Sequence, residues 1–293
     1  MNLVNRYLEP AMIQRLNQLQ LSARRVVEGT TTGTHRSSLK GSSVEFRQHR
    51  SYAPGDEPKR LDWRVLGRTD RKYVKEYDEE TNLRCVLMLD TSGSMAYGRL
   101  PDNKFDYACR AAASLSYLML AQTESVGMGT TGGKISRWLA PQSGSNQLSQ
   151  IVELLGRSGP YGPANIGACL HELAERLERR SLVIVLSDLF CQVGEFREAL
   201  AHLIHNRHEV IVLRILHNDE VQFPFKNWTR FRGLEAEKSR LCEPAMVRRI
   251  YLDQFHEHQS ELRQAAASLG VEYQTFYTRT DLINSLTEFL RRR

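Results

Sequence analysis

The chain has 293 residues, of which 41% are hydrophobic and 25% are charged, and its net charge at neutral pH is +6. This length and composition are typical of a globular protein with one large or two small domains, and no apolar run approaches the roughly 20 residues of a membrane span. Because Lys and Arg are interleaved with Asp and Glu along most of the chain, the net charge does not favour nucleic-acid binding.

The five cysteines are scattered along the chain and form no C-x-x-C pair. Their number and spacing argue against a disulfide framework or a zinc site and favour a reducing compartment. The first ten residues lack the apolar core of a signal peptide. We therefore expect a cytoplasmic protein.

The N-terminal part, residues 1–82, is predicted to form a helix and a β extension. Ala11–Glu28 has apolar residues at helical spacing, which predicts an amphipathic helix that packs against the main domain. A docking helix for a partner is the alternative. Val44–Ser51 is predicted as a strand, and Val65–Tyr77 as a hairpin with its tip near residues 68–71.

A dense group of charged residues surrounds one tryptophan in this extension. Two interpretations are open: a salt-bridged clasp that holds the extension to the sheet, or a partner surface, since Arg and Trp are common interface anchors. The group consists of Asp56, Arg60, Asp62, Trp63 and Arg64.

The main domain, residues 83–293, is organised around the stretch Leu83–Met95, which reads LRCVLMLDTSGSM. Its apolar run is long enough for a strand buried on both faces and too short for a helix. Asp90, Ser92 and Ser94 then alternate in a loop at the carboxyl end of that strand, where open α/β sheets place their ligand sites. Hard oxygen ligands of this kind suit magnesium, manganese or calcium, although Asp and Ser are also favoured helix caps.

The rest of the domain alternates helices with short apolar strands, which predicts βαβ units and a mainly parallel sheet. Asn218–Cys242 interrupts this alternation as an insertion whose aromatic residues cover part of the sheet or meet the N-terminal segment. The predicted helices are Lys104–Ala121, Gln147–Leu155, Ile166–Arg179, Val193–Asn206, Met246–Leu269 and Asp281–Arg292. The predicted strands are Ser125–Gly129, Arg137–Leu139, Leu182–Asp188, Glu209–Leu216 and Val271–Tyr277.

The D-x-S-x-S loop resembles the metal-ion-dependent adhesion site of von Willebrand factor A domains. With the P-G-D motif of Pro54–Asp56 and the D-W-R motif of Asp62–Arg64, the chain resembles one bacterial branch of that superfamily. This branch is the domain of unknown function 58 family, often associated with MoxR-type AAA ATPases. The resemblance extends from about Gly33 onward. It implies an α/β fold of the von Willebrand factor A type, with a doubly wound, mainly parallel sheet flanked by helices.

In that family three loops hold the metal. The first matches here at Asp90, Ser92 and Ser94, and the third at Asp188, which should lie beside Asp90. The second departs, because Ala164 stands where a threonine ligand is expected and Asn165 replaces an aspartate. The resemblance therefore implies Mg²⁺, Mn²⁺ or Ca²⁺ at the four matching residues, with water replacing the lost ligand. The rival interpretation is a degenerate site that serves only as a protein surface.

We predict a non-enzymatic protein-binding module in which an acidic side chain of a client protein fills an open coordination position of the metal. The resemblance implies a MoxR-type AAA ATPase as partner and a joint role in the assembly or remodelling of protein complexes. A metal-free structural adaptor is the alternative. A magnesium-dependent phosphohydrolase with Asp90 as nucleophile would need a second acid two residues later, where this chain has Ser92.

Overall fold

The structure, a computed structural model, describes residues 6–18, 44–52, 62–69, 72–79, 83–235 and 238–292. The chain divides into two compact units, residues 32–83 and residues 1–31 together with 84–293. The described N-terminal residues 6–18 therefore belong to the larger unit. The predicted division instead placed all of residues 1–82 in the N-terminal part. Among the described helices, none combines the length and the hydrophobicity that crossing a membrane requires.

The smaller unit contains two antiparallel strands, β1 (Val44–Ser51) and β2 (Tyr73–Glu79), and the short helix α2 (Trp63–Thr69). The predicted strand at residues 44–51 is confirmed, but the hairpin predicted at Val65–Tyr77 is wrong. Asp62 begins a helix there instead, because its side-chain Oδ1 accepts a hydrogen bond from the Val65 amide at 3.3 Å. The partner of β2 is therefore the distant strand β1 and not its own sequence neighbour.

The larger unit is built on a six-stranded sheet with the strand order β10-β7-β6-β3-β4-β5. All neighbouring strands are parallel except β4 and β5, which are antiparallel. The predicted mainly parallel sheet is confirmed. Its strands are β3 (Arg84–Leu89), β4 (Ser125–Thr130), β5 (Arg137–Gln142), β6 (Leu182–Ser187), β7 (Glu209–Leu216) and β10 (Glu272–Tyr277).

Helices connect the parallel strands, as the alternating pattern predicted, and a short turn joins the antiparallel β4 and β5. Most helix bounds agree with the prediction within two residues, and the helix Ile166–Arg176 ends three residues earlier than predicted. A short 3-10 helix, Gly93–Ala96, follows β3. The helices of this unit are α1 (residues 10–18), α3 (Lys104–Leu120), α4 (Ser145–Gly156), α5 (Ile166–Arg176), α6 (Val193–His205), α7 (Asn218–Gln222), α8 (Pro244–Ser268) and α9 (Leu282–Arg291).

The two central strands form the core of the sheet. Every residue from Cys85 to Leu89 in β3 is fully buried, and β6 is buried along its whole length. Residues that are apolar on both faces of a strand need helices on both sides of the sheet, which is why the apolar runs are continuous rather than alternating. Residues 85–89 pair in register with 182–186, so the loops that leave β3 and β6 start side by side.

Helix α1 packs on the larger unit, as predicted for the amphipathic segment. The Asn17 Oδ1 accepts a hydrogen bond from the Tyr117 hydroxyl of α3 at 2.8 Å. Arg15 contacts Asp281 at the start of α9 with an N–O distance of 3.1 Å. Both groups of this ion pair are about half exposed, so the pair contributes little, whereas Leu16 on the same helix is fully buried. Residues 19–28 of the predicted helix lie outside the described residues.

The predicted insertion contains α7 and a small antiparallel hairpin, β8 (Thr229–Phe231) and β9 (Arg240–Cys242). Its aromatic rings pack on one another and on α8: the ring of Phe223 lies 5.7 Å from that of Phe231 and 4.7 Å from that of Tyr251. The pattern of the insertion predicted these rings over the sheet or against the N-terminal segment. The rings instead contact α8. The inward face of this helix contacts both the insertion and the sheet.

Candidate binding site

Asp90 lies immediately after β3 and is almost fully buried. Its Oδ1 accepts hydrogen bonds from the Ser92 amide at 2.8 Å and from the Thr131 hydroxyl at 2.9 Å. Its Oδ2 accepts a short hydrogen bond from the Ser187 hydroxyl. All three donors are neutral. Among the described residues, Asp90 forms no ion pair, so its charge is left without a compensating cation.

The two loop serines converge as predicted. The hydroxyl oxygens of Ser92 and Ser94 are 2.9 Å apart. The Gly93 amide donates to the Gly162 carbonyl at 2.7 Å, which ties the first predicted loop to the second. Helix α3 is capped by Asn103, which accepts from the Asp106 amide. Asp90 and Ser92 therefore do not cap α3, and Ser92, the N-cap residue of the 3-10 helix Gly93–Ala96, makes no side-chain capping hydrogen bond.

Asp188, the residue predicted from the third loop, lies at the end of the adjacent strand β6 and is buried. Its Oδ2 is 2.6 Å from the Nζ of Lys104, the first residue of α3. The same ammonium is 2.6 Å from Glu220 Oε1 in the insertion helix α7. Lys104 is fully buried. It therefore serves as a resident cation for two of the three carboxylates at this edge of the sheet.

These contacts and the burial of the site shift the pKa values of Asp90, Lys104 and Glu220. The pKa of Asp90 is raised, first by burial and then by the nearby negative charge of Asp188. Burial by itself would lower the pKa of Lys104, but the carboxylates of Asp188 and Glu220 outweigh it and the pKa is raised. Burial also raises the pKa of Glu220 against the opposing effect of Lys104. Asp188 and Glu220 thus share the ammonium of Lys104.

The second predicted loop stabilises the start of α5 and supplies no side-chain ligand to the site. The Asn165 Oδ1 accepts a hydrogen bond from the Ala168 amide at 2.8 Å and caps α5. Its own amide donates to the Gly132 carbonyl at 2.8 Å. Ala164 has no side-chain donor or acceptor. Neither position offers the site a free oxygen from its side chain.

The donor set can be compared with the needs of a hard divalent cation. Asp90, Ser92 and Ser94 supply one carboxylate and two hydroxyls, which are the ligand types that Mg²⁺ and Ca²⁺ prefer. Asp188 is paired with Lys104, and the second loop supplies no side-chain oxygen. The residues therefore fit a cation held by the first loop and completed by water.

The sequence did not single out five polar residues that also contact this site: Lys104, Thr131, Ser187, Glu220 and Glu235. Ser187 directly precedes the predicted Asp188, and a hydroxyl at a strand end was the available signal. Lys104 was visible as a cation at the start of a helix that is rich in Ala and Leu. Thr131 and Glu220 carried no signal of their own, because Thr131 follows β4, Glu220 lies in α7, and both are distant in sequence from Asp90.

The second candidate surface is only partly described. Asp62 is buried and begins α2, whereas the side chain of Trp63 is 65% exposed. Arg64 lies in α2. Asp56 and Arg60 fall outside the described residues. The choice between a clasp and a partner surface stays a prediction.

Comparisons with known proteins show the family of this chain. The sequence profile of the family described as "Protein of unknown function DUF58" matches residues 48–261. An uncharacterized protein of Mycobacterium tuberculosis is 26% identical over 220 residues, which are 74% of this chain and 68% of that protein.

Two solved structures are similar to this chain. An aerotolerance-related membrane protein from Bacteroides fragilis is 18% identical, with a TM-score of 0.49 over 72% of this chain and 97% of its own. The conserved hypothetical protein BatB from Bacteroides thetaiotaomicron is 14% identical, with a TM-score of 0.49 over 72% and 98%. The profile match spans well over half of the chain, and the sheet is the mainly parallel one that the sequence predicted. The chain therefore belongs to the DUF58 family of proteins of unknown function.

Proposed function

We propose that this chain is a non-catalytic protein-binding module whose contact point is the loop Asp90–Ser94. The observation that carries the proposal is the state of Asp90: a buried carboxylate with three neutral donors, no ion pair among the described residues, and a second carboxylate beside it. Such a group is stabilised by any cation that reaches it. It lies at the carboxyl ends of parallel strands, where this class of sheet binds ligands.

A divalent cation bound here would supply a positive charge with an open coordination position for an acidic side chain of the partner. Asp90 would hold it, and the hydroxyls of Ser92 and Ser94 would orient it. Thr131 and Ser187 fix the Asp90 carboxylate by their hydrogen bonds. Lys104 holds Asp188 in place by an ion pair, so that Asp188 would act on the cation through water.

The partner class follows from the family resemblance. We propose a MoxR-type AAA ATPase, with a joint role in assembling or remodelling other protein complexes. The proposal extends to a client protein that carries an exposed acidic residue. This step rests on the resemblance and not on the residues of the site.

The test is binding of a purified MoxR-type ATPase from the same genome to the full chain. We expect binding in millimolar Mg²⁺, its loss in chelator, and at least a tenfold loss in Asp90→Ala, which is 1.4 kcal/mol or more. The matched control is Asp253→Ala, an exposed aspartate on α8. Equal binding by both variants would contradict the proposal.

A second candidate function, a metal-free adaptor, is favoured by one observation. Lys104 already neutralises Asp188 without a metal. In that case the ATPase would bind equally well in chelator and in Mg²⁺, yet would still respond to changes in the loop Asp90–Ser94. The chelator arm of the experiment separates the two candidates.

No enzymatic function is proposed. The position two residues after Asp90, where a phosphohydrolase needs its acid, is Ser92, which donates no proton at neutral pH.

A further inference from the structure

Four large apolar side chains are exposed on the hairpin of the insertion and on the start of α8. A single residue separates the end of β9 from the start of α8, so the two elements are continuous in the chain. The exposed fractions are 67% for Trp228, 59% for Leu241, 76% for Met246 and 61% for Ile250. Single exposed apolar side chains are common on protein surfaces, but several in one segment mark a binding surface.

Two of these side chains share the outer face of the hairpin. Successive residues of a strand point to opposite faces. Phe231 points inward, because its ring lies 5.7 Å from that of Phe223. Arg230 and Trp228 therefore follow the outward direction. Leu241 is paired with Arg230 across the hairpin, so it lies on the same outer face and diagonal to Trp228.

The other two side chains lie on the first two turns of α8. Residues 245–250 are all exposed, and the spacing of four places Met246 and Ile250 on one face of the helix. Asp253 and Glu257 continue that face, and both are exposed. The apolar stripe thus ends after two turns, where acidic residues replace it.

Most of the net charge of the chain lies in this same segment. Residues 226–250 contain seven basic and three acidic residues, which gives a net charge of +4 out of +6 for the whole chain. All seven basic residues are exposed. Among the described residues, one of the seven forms an ion pair: Arg249, whose Nε is 3.9 Å from Asp253. The seven are Lys226, Arg230, Arg232, Lys238, Arg240, Arg248 and Arg249.

Exposed apolar side chains beside unpaired cations fit an anionic lipid surface better than the other large partners. Nucleic acid would use the cations, but its phosphates leave Met246 and Ile250 without a contact. A folded protein partner needs a closely complementary shape. The apolar side chains here project from a hairpin face and from a helix start, and the fluid interface of a bilayer adapts to such projections. Trp is also a preferred residue at that interface.

We propose that the outer face of the hairpin and the first two turns of α8 form a docking surface for an anionic lipid bilayer. The apolar side chains would enter the boundary between headgroups and acyl chains, while the exposed Lys and Arg side chains contact the lipid phosphates. The inference goes beyond the proposed function and does not depend on it, because it uses no residue of the loop Asp90–Ser94.

The first experiment is co-sedimentation of the full chain with two kinds of vesicle. One kind contains phosphatidylcholine alone, and the other contains phosphatidylcholine and phosphatidylglycerol in equal parts. We expect binding to the anionic vesicles to be tighter by about tenfold or more, and to weaken as salt is added, because salt screens the contacts with the headgroups.

The apolar contribution is tested by the double variant Met246→Ser with Ile250→Ser. We expect it to bind the anionic vesicles about tenfold more weakly, because the inserted apolar surface is removed. The matched control is Asp253→Ser with Glu257→Ser, which changes two exposed residues of the same helix face and should not weaken binding. All four positions are exposed, so the melting temperature should stay unchanged in both variants.

The charge contribution is tested by Arg230→Glu. We expect binding to the anionic vesicles to weaken by about tenfold, since a cation near the headgroups becomes an anion. The matched control is Arg137→Glu, which makes the same change of net charge at an exposed arginine of the edge strand β5 and should have little effect.

The position of Trp228 gives a further measurement that does not depend on affinity. Phosphatidylcholine with brominated acyl chains quenches tryptophans that reach the acyl region. We expect the fluorescence of the vesicle-bound chain to be quenched, and most of this quenching to be absent in Trp228→Phe. Trp63 and Trp138 remain in both chains and supply the background.

Equal affinity for the two kinds of vesicle, or binding to neither, would overturn the proposal. Unchanged binding in Met246→Ser with Ile250→Ser would overturn it too, because the contact would then be one of charge alone. A DNA duplex and a blocked polyglutamate peptide are the probes for the other partner classes. Tighter binding to either probe than to the anionic vesicles, with loss in Arg230→Glu, would assign the surface to nucleic acid or to an acidic protein instead.

Discussion

Two carboxylates lie at the ends of adjacent strands and have opposite surroundings. Asp188 is paired with a fully buried ammonium 2.6 Å away, which comes from a different element of the chain. Asp90 has three hydrogen-bond donors and no charged partner among the described residues. Both are buried to nearly the same degree. Burial therefore does not distinguish the two carboxylates. They differ in whether a nearby cation compensates their charge.

The contrast separates a structural carboxylate from one that is available for binding. Asp188 is satisfied by the fold itself, and its ion pair joins β6, α3 and α7. Asp90 is held in position but is electrostatically incomplete, and its raised pKa reflects this. A buried group that costs stability in the free protein is a candidate for function. The predictions below test this difference, from the largest expected effect to the smallest.

Removing the ammonium should have the largest effect. Lys104→Met leaves Asp188 and Glu220 buried without their cation, so we expect the free energy of unfolding to fall by about 3–5 kcal/mol. Urea denaturation measures it. The control is Arg157→Met, whose ion pair with Glu153 is exposed and should change stability by less than about 0.5 kcal/mol. A small loss in Lys104→Met would show that Asp188 does not depend on its ion pair.

Removing a neutral donor from Asp90 should cost less. Thr131→Val deletes the hydroxyl that donates to Asp90 Oδ1 and that accepts from the Thr91 amide. We expect a loss of about 1.5–3 kcal/mol, because a buried charged acceptor loses a hydrogen bond. Urea denaturation is again the measurement, with the exposed Thr69→Val as control. A loss as small as that of the control would mean that Thr131 does not hold the carboxylate.

The second loop should respond only as a helix cap. Asn165→Ala removes the side-chain acceptor for the Ala168 amide, so we expect about 1 kcal/mol less stability. We expect no change in the response of the protein to Mg²⁺, because Asn165 is not a ligand. Thermal unfolding with and without Mg²⁺ measures both quantities. A lost response to Mg²⁺ would place Asn165 in the metal site after all.

The pH dependence should be the smallest effect. The pKa of Asp90 is raised in the folded protein, so the folded state holds this proton more tightly than the unfolded state. Its contribution to stability is fully present below the unfolded pKa of about 3.9 and is lost as the pH rises through the folded value. In Asp90→Asn, this loss of stability with rising pH should be absent. Unfolding free energies across that pH range measure it, and an unchanged slope would contradict the raised pKa.

The sequence was sufficient where the signal is local. The apolar runs at Val86–Leu89 and Leu182–Leu186 predicted two buried strands, because a continuous apolar run has few other stable arrangements. Asp90, Ser92 and Ser94 were predicted together because they are contiguous in one loop. The hairpin predicted at Val65–Tyr77 was wrong. The second half of this segment alternates as a strand does, but the first half forms a helix that begins at Asp62.

Where the signal is tertiary, the sequence was not sufficient. Lys104 is 84 positions from Asp188 and 116 from Glu220, and only the fold brings the three together. Glu235 reaches Ser94 because the insertion packs on α8, a contact that no periodicity encodes. The cytoplasmic location and the MoxR-type partner stay predictions, as does the metal itself.

The most direct measurement is the melting temperature of the full chain in chelator and in millimolar Mg²⁺, beside Asp90→Ala. A ligand that binds only the folded state raises its stability, by about 2.7 kcal/mol at a concentration one hundred times its Kd. We predict a rise in Mg²⁺ for the wild-type chain and none for Asp90→Ala. No rise in either protein, or an equal rise in both, would contradict the view that Asp90 is the carboxylate left open for a cation.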